Sequence, residues 1–267
     1  MVVVAHPGDE AFGFGGAIAK AAAEGAYVVV VCATRGWFDA RLTDSPPMPG
    51  GKNRDVKFGA INWRNIDTVR EDELRRSVAL LGVRVVRMLD YAEGDLDRED
   101  FDNLVGRIVE PIRMHRPEVI LSFGADGVTG DPDHIVLSRA VSAAYAHAAE
   151  PLSYEDDLEE DQVAWRAAKL YQLVVPPSAV AGLGDRAPTD GYGSRVEPTV
   201  AVELGELAQF KLAAITRHVS QTGSAGPFHD WSSDAREAWL GTEHYRLAAS
   251  ALPTPVDGER SLFDGLI

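Results

Sequence analysis

Apolar runs just long enough for a buried strand alternate with helix-length segments through the first two thirds of this chain, and few architectures accept that pattern. Residues 2–5 (VVVA), 26–34 (AYVVVVCAT), 83–89 (VRVVRML) and 118–123 (EVILSF) read as strands. Between them lie helical patterns: the alanine-rich stretch closed by Gly25, residues 69–82 with Leu74, Val78 and Leu81 at helical spacing, residues 101–117 ended by Pro117, and residues 134–149. Continuous apolar runs suit strands covered on both faces, whereas three- and four-residue apolar spacing suits a helix with one buried side. The alternation builds βαβ units, so an α/β fold with a mostly parallel sheet and helices on both faces is predicted.

The last third is less regular. An acidic run (153–162), a strand (168–175), a Pro/Gly-rich loop (176–198) and a helix (207–221) follow one another there. A second long polar loop, roughly residues 36–65, interrupts the first half. Loops of that length inside a compact domain are usually functional or disordered. A single domain over 1–267 is predicted, with a core at 1–150 and a loop-rich extension at 151–267 that completes the cleft.

Composition narrows the partners. The net charge is −15, which argues against nucleic acid or an anionic membrane surface. Cys32 is the only cysteine and stands in an apolar run, so an intrachain disulfide is excluded. No apolar stretch has the length of a membrane span, and the N-terminus lacks a leader pattern, so a cytoplasmic protein is expected. Oligomeric state is left open.

Two strand ends carry the chemistry. The first strand runs into AHPGDE, and the fourth into GADGVTGDPDH. Ligands bind outside the carboxyl ends of parallel strands, so these loops can meet. His6, Asp9 and His134 would then form a two-histidine, one-carboxylate set, which suits a catalytic zinc with one position left for water. Two ordinary helix caps explain the same residues about equally well. A dinucleotide site ranks lower. Gly13, Gly15 and Gly16 do not complete GxGxxG, because Ile18 takes the last place, and Thr34 and Arg35 end the second strand where an acid would hold a ribose.

The segments AHPGDEAFGFGG, ATRG, VREDEL, LDYAEGDL, SFGADGVTGDPDH and KLAAITRHVSQ together resemble the LmbE-like/PIG-L family of metal-dependent N-deacetylases, collinearly up to GTEHYRLA. The resemblance implies a Rossmann-like sheet and removal of an acyl group, acetyl above all, from an amino sugar or small glycoconjugate. It also implies a Zn²⁺ ion held by His6, Asp9 and His134. The usual family motifs read AHPDDE and HPDH. Here Gly8 stands where the catalytic base belongs, and Asp131 where the first histidine of the second motif belongs. Catalytic work is therefore expected of Asp131, either as a relocated base or only as a helix cap, and of Asp133, which would orient its neighbours. Arg70, Glu93, Thr129 and His218 fall at family positions near metal or substrate. Loops 36–65 and 176–198, with Trp37, Phe38 and Trp63, are expected to frame the cleft. His115, His147, His229 and His244 are read as structural. The rival expectation is a weakened member that keeps only metal and sugar binding.

Overall fold

The computed structural model describes residues 1–36, 66–154, 163–176, 196–222, 233–253 and 258–266. Loop residues 37–65 and 177–195, most of the acidic run, and with them Trp37, Phe38, Trp63 and His229, lie outside the described residues.

Three strands form one flank: β1 (Val2–Val4), β2 (Val29–Thr34) and β3 (Val85–Tyr91). The chain then crosses to the other side of β1, with β4 (Val119–Phe123), β5 (Lys169–Val174), β6 (Val200–Glu203) and β7 (Thr242–Ser250). The described strands make one sheet in the order β3-β2-β1-β4-β5-β7-β6. Strands β1 to β5 pair in parallel, with Val3 opposite Val31 and Val2 opposite Leu121, and β7 runs antiparallel to both β5 and β6. Every residue of β1 and β2 is buried, which is why the sequence runs apolar there without alternation. Strand order reverses between β1 and β4, so the crevice at the switch point opens beyond their carboxyl ends.

The predicted helices appear close to where their patterns lie. They are α1 (Asp9–Phe12), α2 (Gly15–Ala23), α3 (Ile66–Leu80), α4 (Phe101–His115), the single turn α5 (Gly127–Gly130) and α6 (Pro132–His147). In α4, the Asp100 side chain accepts from Asn103 N, and Arg116 closes the helix in the left-handed region.

Two departures occur in the last third. The helix expected over 207–221 is broken into α7 (Ala208–Ile215) and the short α8 (Val219–Thr222), because His218 turns fully into the interior between them. Helix α9 (Ser233–Gly241) and strands β6 and β7 had no clear signal. Strand β7 reads TEHYRLAAS, and residues such as Glu, Arg and Ala have weak strand preference on their own.

A buried carboxylate ties this last portion to the core. Glu243 of β7 accepts from Gly16 N at 2.7 Å and Ala17 N at 2.8 Å, which caps an α2 N-terminus whose own cap position, Phe14, has no side-chain acceptor. Lys211 Nζ lies 2.8 Å away, and Tyr245 donates its hydroxyl at 2.7 Å. Gly16 is required by closeness: a Cβ there would stand 2.3 Å from the Leu204 side chain. Packing thus explains the glycines after Phe14 better than a nucleotide does. No helix among the described residues is long and apolar enough to cross a membrane.

Removing one partner of a buried ion pair strands the other. Glu243→Ala is expected to destabilise the protein by about 3–5 kcal/mol, measured by denaturant unfolding. A loss below 1 kcal/mol would show that the Lys211 charge finds other compensation.

Candidate metal centre

His6 follows β1 directly, and the turn back to Asp9 is closed by its own atoms. Asp9 Oδ2 accepts from His6 N at 2.7 Å, and Asp9 N donates to His6 O at 3.2 Å. The intervening Gly8 has φ +114°, a conformation that favours glycine. His134 lies in the first turn of α6, below the end of β4. Its ring stacks on Phe123 with centroids 3.9 Å apart.

Each imidazole is fixed by its remote nitrogen. His6 Nε2 lies 3.0 Å from Asp133 Oδ2, and His134 Nδ1 lies 3.0 Å from Gly127 O. Both partners can only accept, so those nitrogens carry protons, and His6 Nδ1 and His134 Nε2 are the nitrogens that face a shared ligand once deprotonated. These two atoms stand 3.3 Å apart. Asp9 Oδ2 completes a triangle at 3.3 Å from His134 Nε2 and 3.6 Å from His6 Nδ1. Donors about 2.0–2.2 Å from one tetrahedral ion would be spaced roughly 3.3–3.6 Å apart. The residues present fit a divalent metal.

Asp131 also has an oxygen within 4.8 Å of the two imidazole donors. Its Oδ1, however, accepts from Asp133 N at 2.8 Å and His134 N at 3.3 Å, capping α6. Two carboxylates, Asp9 and Asp131, are thus within reach of the imidazoles as a third donor.

Electrostatics agree with a cation site. Burial opposes protonation of His6, yet the hydrogen bond to Asp133 and the charges of Glu93, Asp9 and Asp133 raise its pKa to about 9. Burial likewise works against the Asp9 carboxylate, but both histidines pull its pKa down to about 2. Metal uptake near neutral pH would therefore displace protons from this cluster.

Behind the ligands stands a polar stripe on α3. Arg70, Glu73 and Ser77 are all buried there. Arg70 donates to Gly36 O at 3.2 Å and Pro7 O at 3.3 Å and pairs with Glu93, so one guanidinium ties the loops after β2, β1 and β3. Ser77 Oγ donates to Glu10 Oε1 at 2.6 Å, and Gly8 N donates to Glu10 Oε2 at 2.7 Å. His218 Nε2 lies 2.6 Å from Glu10 Oε1. Burial opposes its protonation, but Glu10 raises its pKa. Glu73 accepts from Ser220 N at 2.8 Å.

The sequence-predicted residues therefore sort into groups. His6, Asp9 and His134 come together, with Asp131 and Asp133 beside them. Arg70 and His218 lie beneath the turn and hold it, and Glu93 sits at the Arg70 end of the cleft. Thr129 belongs to α5, and its side chain is outside the described structure. His115, His147 and His244 take no part in this cluster. Glu10, Glu73 and Ser77 were not anticipated. The signal available was a polar row at 70, 73 and 77 running beside the apolar Leu74 and Val78.

Two imidazoles and carboxylates gathered at the switch point of a parallel sheet, with both rings oriented from behind, form a candidate divalent-metal centre. The family described as PIG-L, GlcNAc-PI de-N-acetylase, matches residues 1–145. A 1D-myo-inositol 2-acetamido-2-deoxy-alpha-D-glucopyranoside deacetylase of Geodermatophilus obscurus is 30% identical over 100% of this chain and 97% of its own length. This chain belongs to that LmbE-like/PIG-L family of deacetylases. Its fold is similar to that of the N,N'-diacetylchitobiose deacetylase from Pyrococcus horikoshii, with a TM-score of 0.68 at 19% identity, covering 92% of this chain and 82% of that one. It is also similar to GalB, the 4-carboxy-2-hydroxymuconate hydratase from Pseudomonas putida KT2440, with a TM-score of 0.64 at 16% identity, covering 96% and 98%. A hydratase on the same fold shows that the reaction must be argued from the site.

Asp133→Ala is expected to weaken metal binding by about 10–100-fold, because it frees the His6 ring. Competition titration with a chelating dye reads this directly, and unchanged affinity would remove Asp133 from the centre. Gly8→Asp is expected to cost about 1–3 kcal/mol, since a side chain must adopt φ +114°. A melting temperature at or above that of the parent would contradict the backbone assignment.

Proposed function

We propose that this protein is a Zn²⁺-dependent N-deacetylase acting on an N-acetylated amino sugar or small glycoconjugate, working as one domain across the whole chain. The triangle of His6 Nδ1, Asp9 Oδ2 and His134 Nε2 carries the proposal. Full-length similarity to a deacetylase of an acetamido sugar supports the substrate class. The chemistry that a divalent ion supplies when held there is activation of water and of an amide carbonyl.

The chain's own residues provide the rest. Asp133 accepts the His6 ring proton and is fixed by Gly94 N at 2.6 Å and Leu96 N at 3.1 Å, so the ring keeps its direction during turnover. Gly8 offers no carboxylate. Asp131 has a carboxylate oxygen within 4.8 Å of a ring nitrogen of each histidine, and Asp133 is already committed to the His6 ring and two backbone donors. We assign it the proton path: it takes the proton lost as water adds to the amide carbon, then returns it to the amine as the C–N bond breaks. Acetate and the free amine leave. Capping uses Oδ1 and leaves the other oxygen for this exchange. Glu93 and Thr129 are the rim positions proposed to meet the sugar, with Arg70 and His218 supporting the turn from below.

Asp131→Asn tests the assignment, because Asn caps a helix as well as Asp. Acetate release from a 2-acetamido-2-deoxyglucosyl inositol should fall by roughly 10²-fold or more, with metal content and melting temperature unchanged. Undiminished release would leave Asp131 a cap only. No release by the parent protein would overturn the deacetylase reading.

A further inference from the structure

The space beside Gly8 is filled. A Cβ at Gly8 would lie 2.8 Å from Gln221 Oε1 and 3.0 Å from its Nε2, so the Gln221 carboxamide occupies the place into which any side chain at position 8 would project. Gly8 separates the two ligands His6 and Asp9, and a group seated against it stands at the wall of the metal centre.

The orientation of this carboxamide is fixed. Nε2 donates to Pro7 O, and a carbonyl oxygen can only accept, so the amide cannot be flipped. The backbone is held as well: Ser220 N and Oγ are gripped by Glu73, and Gln221 N donates to His218 O at 3.1 Å. Oε1 receives no hydrogen bond from the described residues, and Gln221 is partly exposed. A rigid, pure acceptor is thus presented beside the ligands, on a segment more than 200 residues further along the chain.

We propose that Gln221 positions the substrate by accepting, through Oε1, the N–H of the amide to be cleaved. An amide entering this site brings one acceptor, its carbonyl, and one donor, its N–H. The carbonyl turns to the ligand triangle, which leaves the N–H for an acceptor on the flank. Gln221 cannot take a proton, so it orients the amide and leaves proton transfer to another group. The selectivity that follows is for amides over esters, which lack the N–H. This assignment rests on the amide-hydrolase reading above.

Calorimetry on the metal-free protein separates the two, since it reads binding without turnover. The probes are methyl 2-acetamido-2-deoxyglucopyranoside and methyl 2-O-acetylglucopyranoside. The parent should bind the amide about tenfold more tightly, the worth of one hydrogen bond. Gln221→Met keeps the length without the acceptor and should bind both alike. Gln221→Leu also removes the acceptor and should likewise bind both alike, which serves if the Met variant does not fold. With metal added, Gln221→Met should lower kcat/KM about tenfold for the amide and leave ester turnover unchanged. Equal losses for both probes, or a preference that survives Gln221→Met, would overturn the proposal. If the parent binds neither sugar, the amino-sugar reading itself fails and this assignment falls with it.

Discussion

The hydrogen bond between Asp133 and His6 is the junction on which the centre depends. The same carboxylate collects the His6 ring, Gly94 N and Leu96 N, so it joins the loop after β1, the loop after β3 and the start of α6. A buried carboxylate is tolerable only when its oxygens are satisfied, and here ring and backbone donors satisfy them. Because the bond fixes which nitrogen of His6 is protonated, it also fixes which nitrogen is free to ligate. Position, protonation and ligand geometry follow from one contact.

Beneath that junction the protein spends polar residues where a core would ordinarily be apolar. Glu10 is fully buried, yet Ser77, His218 and Gly8 N all reach it. Arg70 holds three loops at once from α3. The network is satisfied except at Arg70 Nε and His218 Nδ1, which have no partner among the described residues; satisfied networks are rigid and unpaired buried groups costly. A catalytic metal site needs the rigid outcome, since a displacement of an ångström removes the geometry. The polar row on α3 is accordingly part of the site, although none of its residues is a ligand.

The glycines near the first motif answer to packing. Gly16 admits Leu204, and Gly8 admits the Gln221 carboxamide. In both cases a distant segment uses the room that a missing side chain leaves. The C-terminal third therefore reaches the site in two ways, by capping α2 through Glu243 and by furnishing Gln221 at its wall.

The sequence by itself determined the strands β1 to β5, the helices between them and the parallel sheet, because burial on both faces imposes continuous apolar runs and burial on one face imposes helical spacing. It also determined the candidate ligands, since His6, Asp9 and His134 stand at strand ends that a parallel sheet aligns. It did not reveal β6, β7 and α9, whose weak local preferences are overridden by pairing and packing. It could not decide that His218 turns inward to Glu10 and breaks a helix, nor whether Asp131 caps α6. Only the tertiary structure decided those, and with them which nitrogen of each histidine faces the candidate metal position, because each depends on a donor or acceptor brought near from elsewhere in the chain.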